Sequence, residues 1–162
     1  MNKRIALVTN VLDYVGPPAV KSLLKDGYNV VAQDPAFQVS EKKDDYMAKN
    51  PDPFPTSIRE PKEPIQHVWE KYKQVDVIVS NDTFPAIHIP IDEANVEDLN
   101  TTIDNVLIYP FKLMQAAIPK FKKQGRGNVI MITSCRTELP LPGGAISDIA
   151  RAGLVSLRKL VS

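Results

Sequence analysis

Short apolar runs alternate along the chain with longer segments whose apolar residues recur at helical spacing. The runs cover residues 5–8, 29–32, 75–79 and 129–133. Continuous apolar runs of this length are typical of strands that are buried on both faces of a parallel sheet. Between them, apolar residues three and four positions apart predict amphipathic helices that cross from one strand to the next.

The crossover helices carry recognisable start and stop signals. Pro17 and Gly27 mark the first helix, because proline is tolerated in a first turn and glycine is favoured just after a last one. A long helix is predicted over residues 93–123, and Pro110 should kink or split it because proline lacks a backbone N–H. Further helices are predicted over residues 65–72 and 146–161.

The order of these elements predicts the fold class. Strands and helices alternate, which indicates an α/β protein with a doubly wound parallel sheet, here a single Rossmann-like domain over residues 1–162. Residues 51–64 contain five prolines and predict a loop or a heavily shortened strand, with a flexible linker as the alternative. Ligands of such sheets bind outside the carboxyl ends of the strands. The loops at that edge are 9–16, 34–40, 80–90 and 134–146.

The charge balance and the hydropathy exclude several classes of partner. Lys and Arg total 20 against 19 acidic residues, so the formal net charge is +1. Neither a basic surface for nucleic acid nor an acidic tail is indicated. The N-terminal apolar run is too short for a secretory signal and no run is long enough to cross a membrane, which predicts a cytoplasmic protein.

Cysteine and histidine are too sparse for the sites that they usually build. Cys135 is the single cysteine, so neither an intrachain disulfide nor a zinc spacing is present. His67 and His88 are isolated in the sequence, which disfavours a metal site. Since no histidine is placed to activate Cys135, a small core or cleft residue is a better interpretation of it than a nucleophile.

The loop after the first strand lacks the glycines of a dinucleotide site. Such a site needs glycines for the tight turn, for the approach of the pyrophosphate and for close helix packing, whereas loop 9–16 contains only Gly16. Asp13 would repel phosphate, and without the glycines Asp34 is weak support for a ribose contact, so NAD(P) binding is disfavoured. Tyr14 is either an ordinary loop aromatic or a side chain that fills the cofactor space and lines a small-ligand site.

Two serines and an arginine follow at a spacing that brings them to one cleft. Ser134 ends the last predicted strand, Ser147 lies thirteen residues later, and Arg151 follows four residues after that. Positions 147 and 151 are one helical turn apart and share a face, while strand ends line the cleft in this architecture. In the short-chain dehydrogenase/reductase superfamily this layout carries a serine, a tyrosine and a lysine.

With arginine in place of lysine, the chain resembles the halohydrin dehalogenases, which use the same fold without a nicotinamide cofactor. Their first motif is a threonine, four residues, an aromatic residue, one residue and a glycine, and it is matched by Thr9, Tyr14 and Gly16. Their second motif is a serine, twelve residues, a tyrosine, three residues and an arginine. It is matched by Ser134 and Arg151, with Ser147 at the tyrosine position. Segments 75–82, 109–111 and 150–153 also resemble the family, so the likeness covers essentially the whole chain.

The resemblance implies an epoxide-forming lyase reaction. In the family, the tyrosine takes a proton from a vicinal haloalcohol, the serine holds the substrate oxygen, and the alkoxide displaces halide. The arginine favours the tyrosinate, since a nearby cation lowers a pKa by about 1–3 units. Cyanide or azide opens the epoxide in the reverse direction. Ser147 is a poor replacement because an alkyl hydroxyl is far less acidic than a phenol, so this chain is expected to have little activity.

The resemblance also implies the surroundings of the site. Halide lies in the space of the nicotinamide, next to Thr9, Tyr14 and Gly16, with Asp82 as a proton or water partner. No cofactor or metal is implied, and a homo-oligomer, a dimer or tetramer, is expected. Members of the family continue through further strands and helices, so a fold shortened at its C-terminal end leaves one sheet edge without neighbours.

Simpler roles for these residues stay open. Ser147 would serve as a helix N-cap, with Asp148 favoured in the first turn by the helix dipole. Arg151 would form a surface salt bridge with Asp148. For function, the alternatives are an NAD(P)-dependent reductase of the wider superfamily and a non-catalytic relative that binds small ligands or partner subunits.

Overall fold

A parallel sheet forms the centre of the residues that the computed structural model describes, 3–139 and 141–161. Its five strands have the order β3-β2-β1-β4-β5. The strands are β1 (Ile5–Val8), β2 (Asn29–Gln33), β3 (Phe54–Thr56), β4 (Val77–Ser80) and β5 (Asn128–Met131). The helices are α1 (Gly16–Lys25), α2 (Ser40–Lys49), α3 (Glu63–Tyr72), α4 (Val96–Ile103), α5 (Tyr109–Gln124) and α6 (Ala145–Leu160). The predicted doubly wound, Rossmann-like sheet is confirmed.

Strands β1, β2 and β4 are covered on both faces, whereas β5 at the sheet edge leaves Ile130 49% exposed. Ile5 and Leu7 of β1 face one core, which α3 and α5 complete. Ala6 and Val8 face the other, to which α1 and the region around α2 contribute. Because alternate residues of a strand point to opposite faces, a continuous apolar run is what such a strand requires. None of the helices within the described ranges has the length and apolarity to cross a bilayer.

The first half of the chain contains one predicted strand and one unpredicted helix. The proline-rich segment forms the short strand β3, which pairs with β2 at the edge of the sheet, so the shortened strand is the correct one of the alternatives for this segment. Helix α2 was missed because its sequence is mostly charged and Tyr46 is its one buried residue. The ring of Tyr46 lies 4.9 Å from that of Phe37, measured between centroids, and this contact holds α2 against the sheet.

The predicted break at Pro110 is confirmed. Helix α4 ends at Ile103, a π-helical turn covers Asp104–Ile108, and α5 begins at Tyr109. Pro110 lies in the first turn of α5, where its missing N–H costs little. π-helical turns are rare and are frequent at functional sites.

The amino edge of the sheet is held by one buried carboxylate. Asp76 accepts hydrogen bonds from Ile5 N at 2.7 Å, from Arg126 Nε at 2.7 Å and from Gln74. Burial by itself would raise the pKa of Asp76, but these hydrogen bonds and the charge of Arg126 lower it below the usual value. Asp76 therefore has a structural role at this edge of the sheet.

Candidate active site

A small cavity at the carboxyl edge brings three of the predicted site residues together. Tyr14, Ser134 and Arg151 line a space of about 280 Å³. Asp13 and residues 83–86 complete its wall. The cavity thus joins the loop after β1, the loop after β4, the end of β5 and helix α6. The carboxyl ends of the parallel strands meet at this edge, which is where ligands of doubly wound sheets bind.

Thr9 and Gly16 support the loop after β1 from its two ends. Thr9 is fully buried, and its hydroxyl oxygen accepts a hydrogen bond from Asn81 N at 2.9 Å, which ties β1 to the end of β4. Gly16 lies so close to the backbone of Asn10 and Val11 that an added Cβ would be 2.6 Å from each of them. Both residues therefore set the shape of the loop.

Asn81 is a structural residue of the site that the sequence analysis missed. Its side-chain amide donates hydrogen bonds to Asn10 O and Asp13 O, both at 2.9 Å. Asn10 in turn donates to Asp82 Oδ1 at 3.0 Å. Within residues 75–82 the family resemblance pointed to Asp82 alone, whereas the Asn81 amide fastens the loop after β1.

Two residues of this loop adopt a left-handed backbone that glycine favours. Asn10 has a φ of 47° and Tyr14 a φ of 49°. Left-handed conformations cost non-glycine residues roughly 1–2 kcal/mol. The ring of Tyr14 stands out from this backbone and is 62% exposed.

Ser134 lines the cavity and has an unused hydrogen-bond donor. Its Oγ accepts a hydrogen bond from Arg136 N at 3.3 Å, which caps the 3-10 turn Cys135–Thr137. Within residues 3–139 and 141–161, this hydroxyl donates to no acceptor. Its proton is therefore available to an oxygen atom of a ligand.

Ser147 is buried beside the cavity and is not a helix cap. Helix α6 begins two residues earlier, with Gly144 at its N-cap, so the N-cap interpretation is wrong. The side chain accepts a hydrogen bond from Ile87 N at 3.3 Å. Ser147 thus fastens α6 to the loop after β4, which occupies the neighbouring space.

Arg151 does not pair with Asp148, so the salt-bridge interpretation is also wrong. The partner of Asp148 is Arg136, with 3.4 Å between Nε and Oδ1. A second nitrogen of Arg136 lies 3.3 Å from His88 Nδ1. Nη1 of Arg151 is buried and has no hydrogen-bond partner among the described residues.

Asp82 lies in a second, more polar cavity that adjoins the first. This space of about 240 Å³ is also lined by Arg59, Asn105 and Tyr109, and the two cavities share Thr83 and Phe84 as a wall. Burial raises the pKa of Asp82 to about 6, although hydrogen bonds from Ser80, Thr9 and Asn10 and the charge of Arg59 partly oppose the shift.

Tyr109 does not supply the phenolate that position 147 lacks. Burial, with the neighbouring Asp82 charge, raises the pKa of Tyr109 far above its usual value. Its hydroxyl is buried and has no hydrogen-bond partner within the described part of the chain. A phenol in this state stays protonated near neutral pH and acts as a hydrogen-bond donor.

Comparison with known proteins assigns the family. Residues 4–161 match the short chain dehydrogenase family. The chain belongs to this family. An uncharacterized oxidoreductase of Bacillus subtilis is 24% identical over 99% of this chain and 64% of its own length. A 3-oxoacyl-[acyl-carrier-protein] reductase of Staphylococcus epidermidis is 28% identical over 98% of this chain and 67% of its own length.

Two solved short chain dehydrogenase folds have names that refer to dehalogenation. A halohydrin dehalogenase bound to ethyl (2S)-oxiran-2-ylacetate is 32% identical with a TM-score of 0.93, and the match covers 98% of this chain and 63% of that one. A protein described as a dehalogenation enzyme is 27% identical with a TM-score of 0.91, over 96% of this chain and 64% of that one. The chain thus spans about two thirds of the length of the proteins that it matches.

The short chain dehydrogenase fold implies a nicotinamide dinucleotide, and the residues of this loop do not fit one. Asp34, at the position of a ribose-binding acid, uses one carboxylate oxygen for Leu12 N at 3.0 Å and the other for Ala36 N at 2.9 Å. Tyr14 and Asp13 line the cavity where small glycines would admit a pyrophosphate. Asp34 therefore shapes the loop, and each of its oxygens already accepts one hydrogen bond from the main chain.

Metal-ligating residues do not cluster in the described ranges. No group of three or more His, Cys, Asp or Glu side chains lies close enough together there to hold a metal ion. His67 stacks on Phe54 with 5.6 Å between the ring centroids, and Cys135 is an exposed free thiol.

Replacing Asp82 with asparagine is expected to make the free energy of unfolding less dependent on pH. The pKa of Asp82 rises from 3.8 to about 6 in the fold, so the folded protein keeps this proton to a higher pH than the unfolded chain does. The resulting stabilisation is fully present below pH 3.8 and is lost as the pH rises through about 6. Between pH 5 and pH 8 the loss amounts to roughly 1–1.5 kcal/mol of unfolding free energy.

Denaturant unfolding at both pH values tests this expectation. The unmodified chain should lose more stability between pH 5 and pH 8 than Asp82→Asn does. Asp45→Asn serves as the matched control, because the Asp45 side chain is 63% exposed. Equal losses in the unmodified chain and in Asp82→Asn would contradict the expectation.

Proposed function

We propose that this chain carries the site of a halohydrin dehalogenase-type carbon–halogen lyase, which converts vicinal haloalcohols to epoxides. The observation that carries the proposal is the convergence of Tyr14, Ser134 and Arg151 on one small cavity. The 32% identity to a solved halohydrin dehalogenase supports it. The loop after β1 supports it as well, since its residues do not fit a dinucleotide.

The proposed reaction assigns a role to each residue of the cavity. The haloalcohol hydroxyl loses its proton to solvent water, the oxygen forms a bond to the neighbouring carbon, and the carbon–halogen bond breaks to release halide. Ser134 donates a hydrogen bond to the reacting oxygen, and the cation of Arg151 favours negative charge there. Tyr14 closes the cavity on the loop side, and Thr9 and Gly16 hold that loop. Small anions open the epoxide in the reverse direction.

Position 147 limits the rate of this reaction. A serine hydroxyl is a much weaker acid than a phenol, and one guanidinium does not convert it to a base near neutral pH. The unmodified chain is therefore proposed to turn over slowly. A homo-oligomer, a dimer or tetramer, remains a prediction from the family resemblance.

Ser134→Ala tests the proposed site. We expect slow halide release from a vicinal bromoalcohol by the unmodified chain, and a decrease of about tenfold or more in the variant, because a donor to the reacting oxygen is lost. Ser156→Ala is the control, since Ser156 is an exposed serine of α6. The proposal fails if Ser134→Ala releases halide as fast as the unmodified chain.

The second candidate function is that of an NAD(P)-dependent reductase. It is favoured by the sequence relatives, which are described as oxidoreductases and as 3-oxoacyl-[acyl-carrier-protein] reductases. A thermal shift on addition of NADH or NADPH would support this candidate. The absence of a shift, together with halide release, would favour the lyase.

A further inference from the structure

The guanidinium of Arg151 is a half-buried cation without an internal partner. It projects from α6 into the wall of the 280 Å³ cavity. Nη1 is buried and donates to no acceptor, and no hydrogen bond or ion pair of Arg151 occurs in residues 3–139 and 141–161. Arginine is rarely buried without a counterion, because removing its charge from water is costly unless the charge is paired.

The acidic residues nearby do not neutralise this cation. Asp148, one turn earlier on α6, is paired with Arg136. Asp82 lies in the adjoining cavity, where Asn10 and Ser80 hold its carboxylate. Asp13 lines the same cavity as Arg151 but is exposed, so solvent screens its charge, and its Oδ1 accepts a hydrogen bond from Tyr14 N at 2.7 Å.

The lining of the cavity also offers a neutral donor. Ser134 keeps its hydroxyl proton free while Oγ accepts from Arg136 N. A planar guanidinium fork matches the two oxygens of a carboxylate. The Ser134 hydroxyl can donate to one further ligand oxygen, on the carbon atom next to the carboxylate. The volume of the cavity lies at the small end of the range for ligand pockets.

We propose that this cavity binds a short 2-hydroxycarboxylate, with its carboxylate on Arg151 and its hydroxyl oxygen on Ser134. Since no phenol stands at position 147, the arginine is free to bind the ligand directly. Resting on the proposed function, this inference names the substrate class: a 3-halo-2-hydroxycarboxylate. Its hydroxyl proton passes to solvent water, its oxygen forms a bond to carbon 3 as the carbon–halogen bond breaks, halide leaves, and an epoxycarboxylate remains.

Lactate and propane-1,2-diol are the probes that test the site, because they differ chiefly in the carboxylate. In calorimetric or NMR titrations we expect lactate to bind the unmodified chain about tenfold or more tightly than the diol. Arg151→Gln should weaken lactate binding by about tenfold or more, and Arg151→Lys should weaken it less, since charge remains but the fork is lost. Arg158→Gln, an exposed arginine on the same helix, should leave binding unchanged.

Several results would overturn the inference. The first is equal binding of lactate and the diol, and the second is unchanged lactate binding in Arg151→Gln. The third is competition by chloride as strong as competition by lactate, because that would indicate a site for simple anions. If Arg151→Gln fails to fold, Arg151→Lys and the lactate-induced shift of the Arg151 side-chain Nε–H resonance decide the question. Lactate binding without halide release would refute the proposed function alone. Release from a neutral bromoalcohol without lactate binding would refute this inference alone.

Discussion

Ser147→Tyr is expected to raise halide release from a simple vicinal bromoalcohol by about 10²- to 10⁴-fold, the usual contribution of a well-placed general base. Ser147 and Arg151 lie one turn apart on α6, so a phenol at 147 would share a face with the guanidinium. A nearby cation lowers a phenol pKa of about 10 by about 1–3 units, which makes tyrosinate accessible near neutral pH.

The variant must find room for its ring. Ser147 is only 6% exposed and accepts a hydrogen bond from Ile87 N, so the loop after β4 has to shift. That loop has no regular secondary structure over residues 84–90. We therefore expect some loss of stability but a folded protein, which circular dichroism during denaturant unfolding would verify.

Ser147→Phe is the matched control for this gain of activity. It brings the same ring and the same displacement of the loop, but no hydroxyl. Halide release that rises only with tyrosine would establish a phenol as the missing base. A rise with phenylalanine, or rapid release from the unmodified chain, would mean that another group takes the proton.

The second large effect is expected from Gly16→Ala, which should destabilise the protein by about 3 kcal/mol or more, the upper end for overpacking. An added Cβ would lie 2.6 Å from Asn10 O and 2.6 Å from Val11 Cα. These are backbone atoms of the loop that supports the cavity, and they cannot rotate away as a side chain would.

Gly125→Ala provides the comparison. Gly125 has a φ of 75° but nothing within 4 Å of an added Cβ, so only the left-handed backbone is penalised, by about 1–2 kcal/mol. Urea unfolding of both variants separates close approach from backbone conformation. Equal destabilisation would show that crowding at Gly16 is relieved by movement of the loop.

The sheet was predictable because its signal is local. The apolar run of β1 can be recognised in the sequence without knowing which strands pair with it. Pro110 interrupts a helix because proline lacks a backbone N–H. Helix α2 was not predictable, since a charged segment with one buried tyrosine has no periodic stripe.

The site was predictable only in part, for the same physical reason. The spacing of Ser147 and Arg151 correctly indicated a shared helix face. By contrast, the ion-pair partner of Asp148 is Arg136, whose position depends on the path of the loop after β5. Contacts between residues distant in sequence, such as that of Asn81 with Asn10, depend on which strand ends lie side by side in the sheet. The sequence pattern does not contain that information.

The left-handed backbone at Asn10 and Tyr14 bears on how such a loop arises in evolution. A loop that cradles phosphate and a loop that closes a small cavity would ordinarily be regarded as different backbones. Here the chain already follows, at both positions, a path that glycine adopts without strain. Glycine at either position would therefore keep this main-chain path while removing the side chain, so a single substitution there changes what lines the loop without changing its backbone.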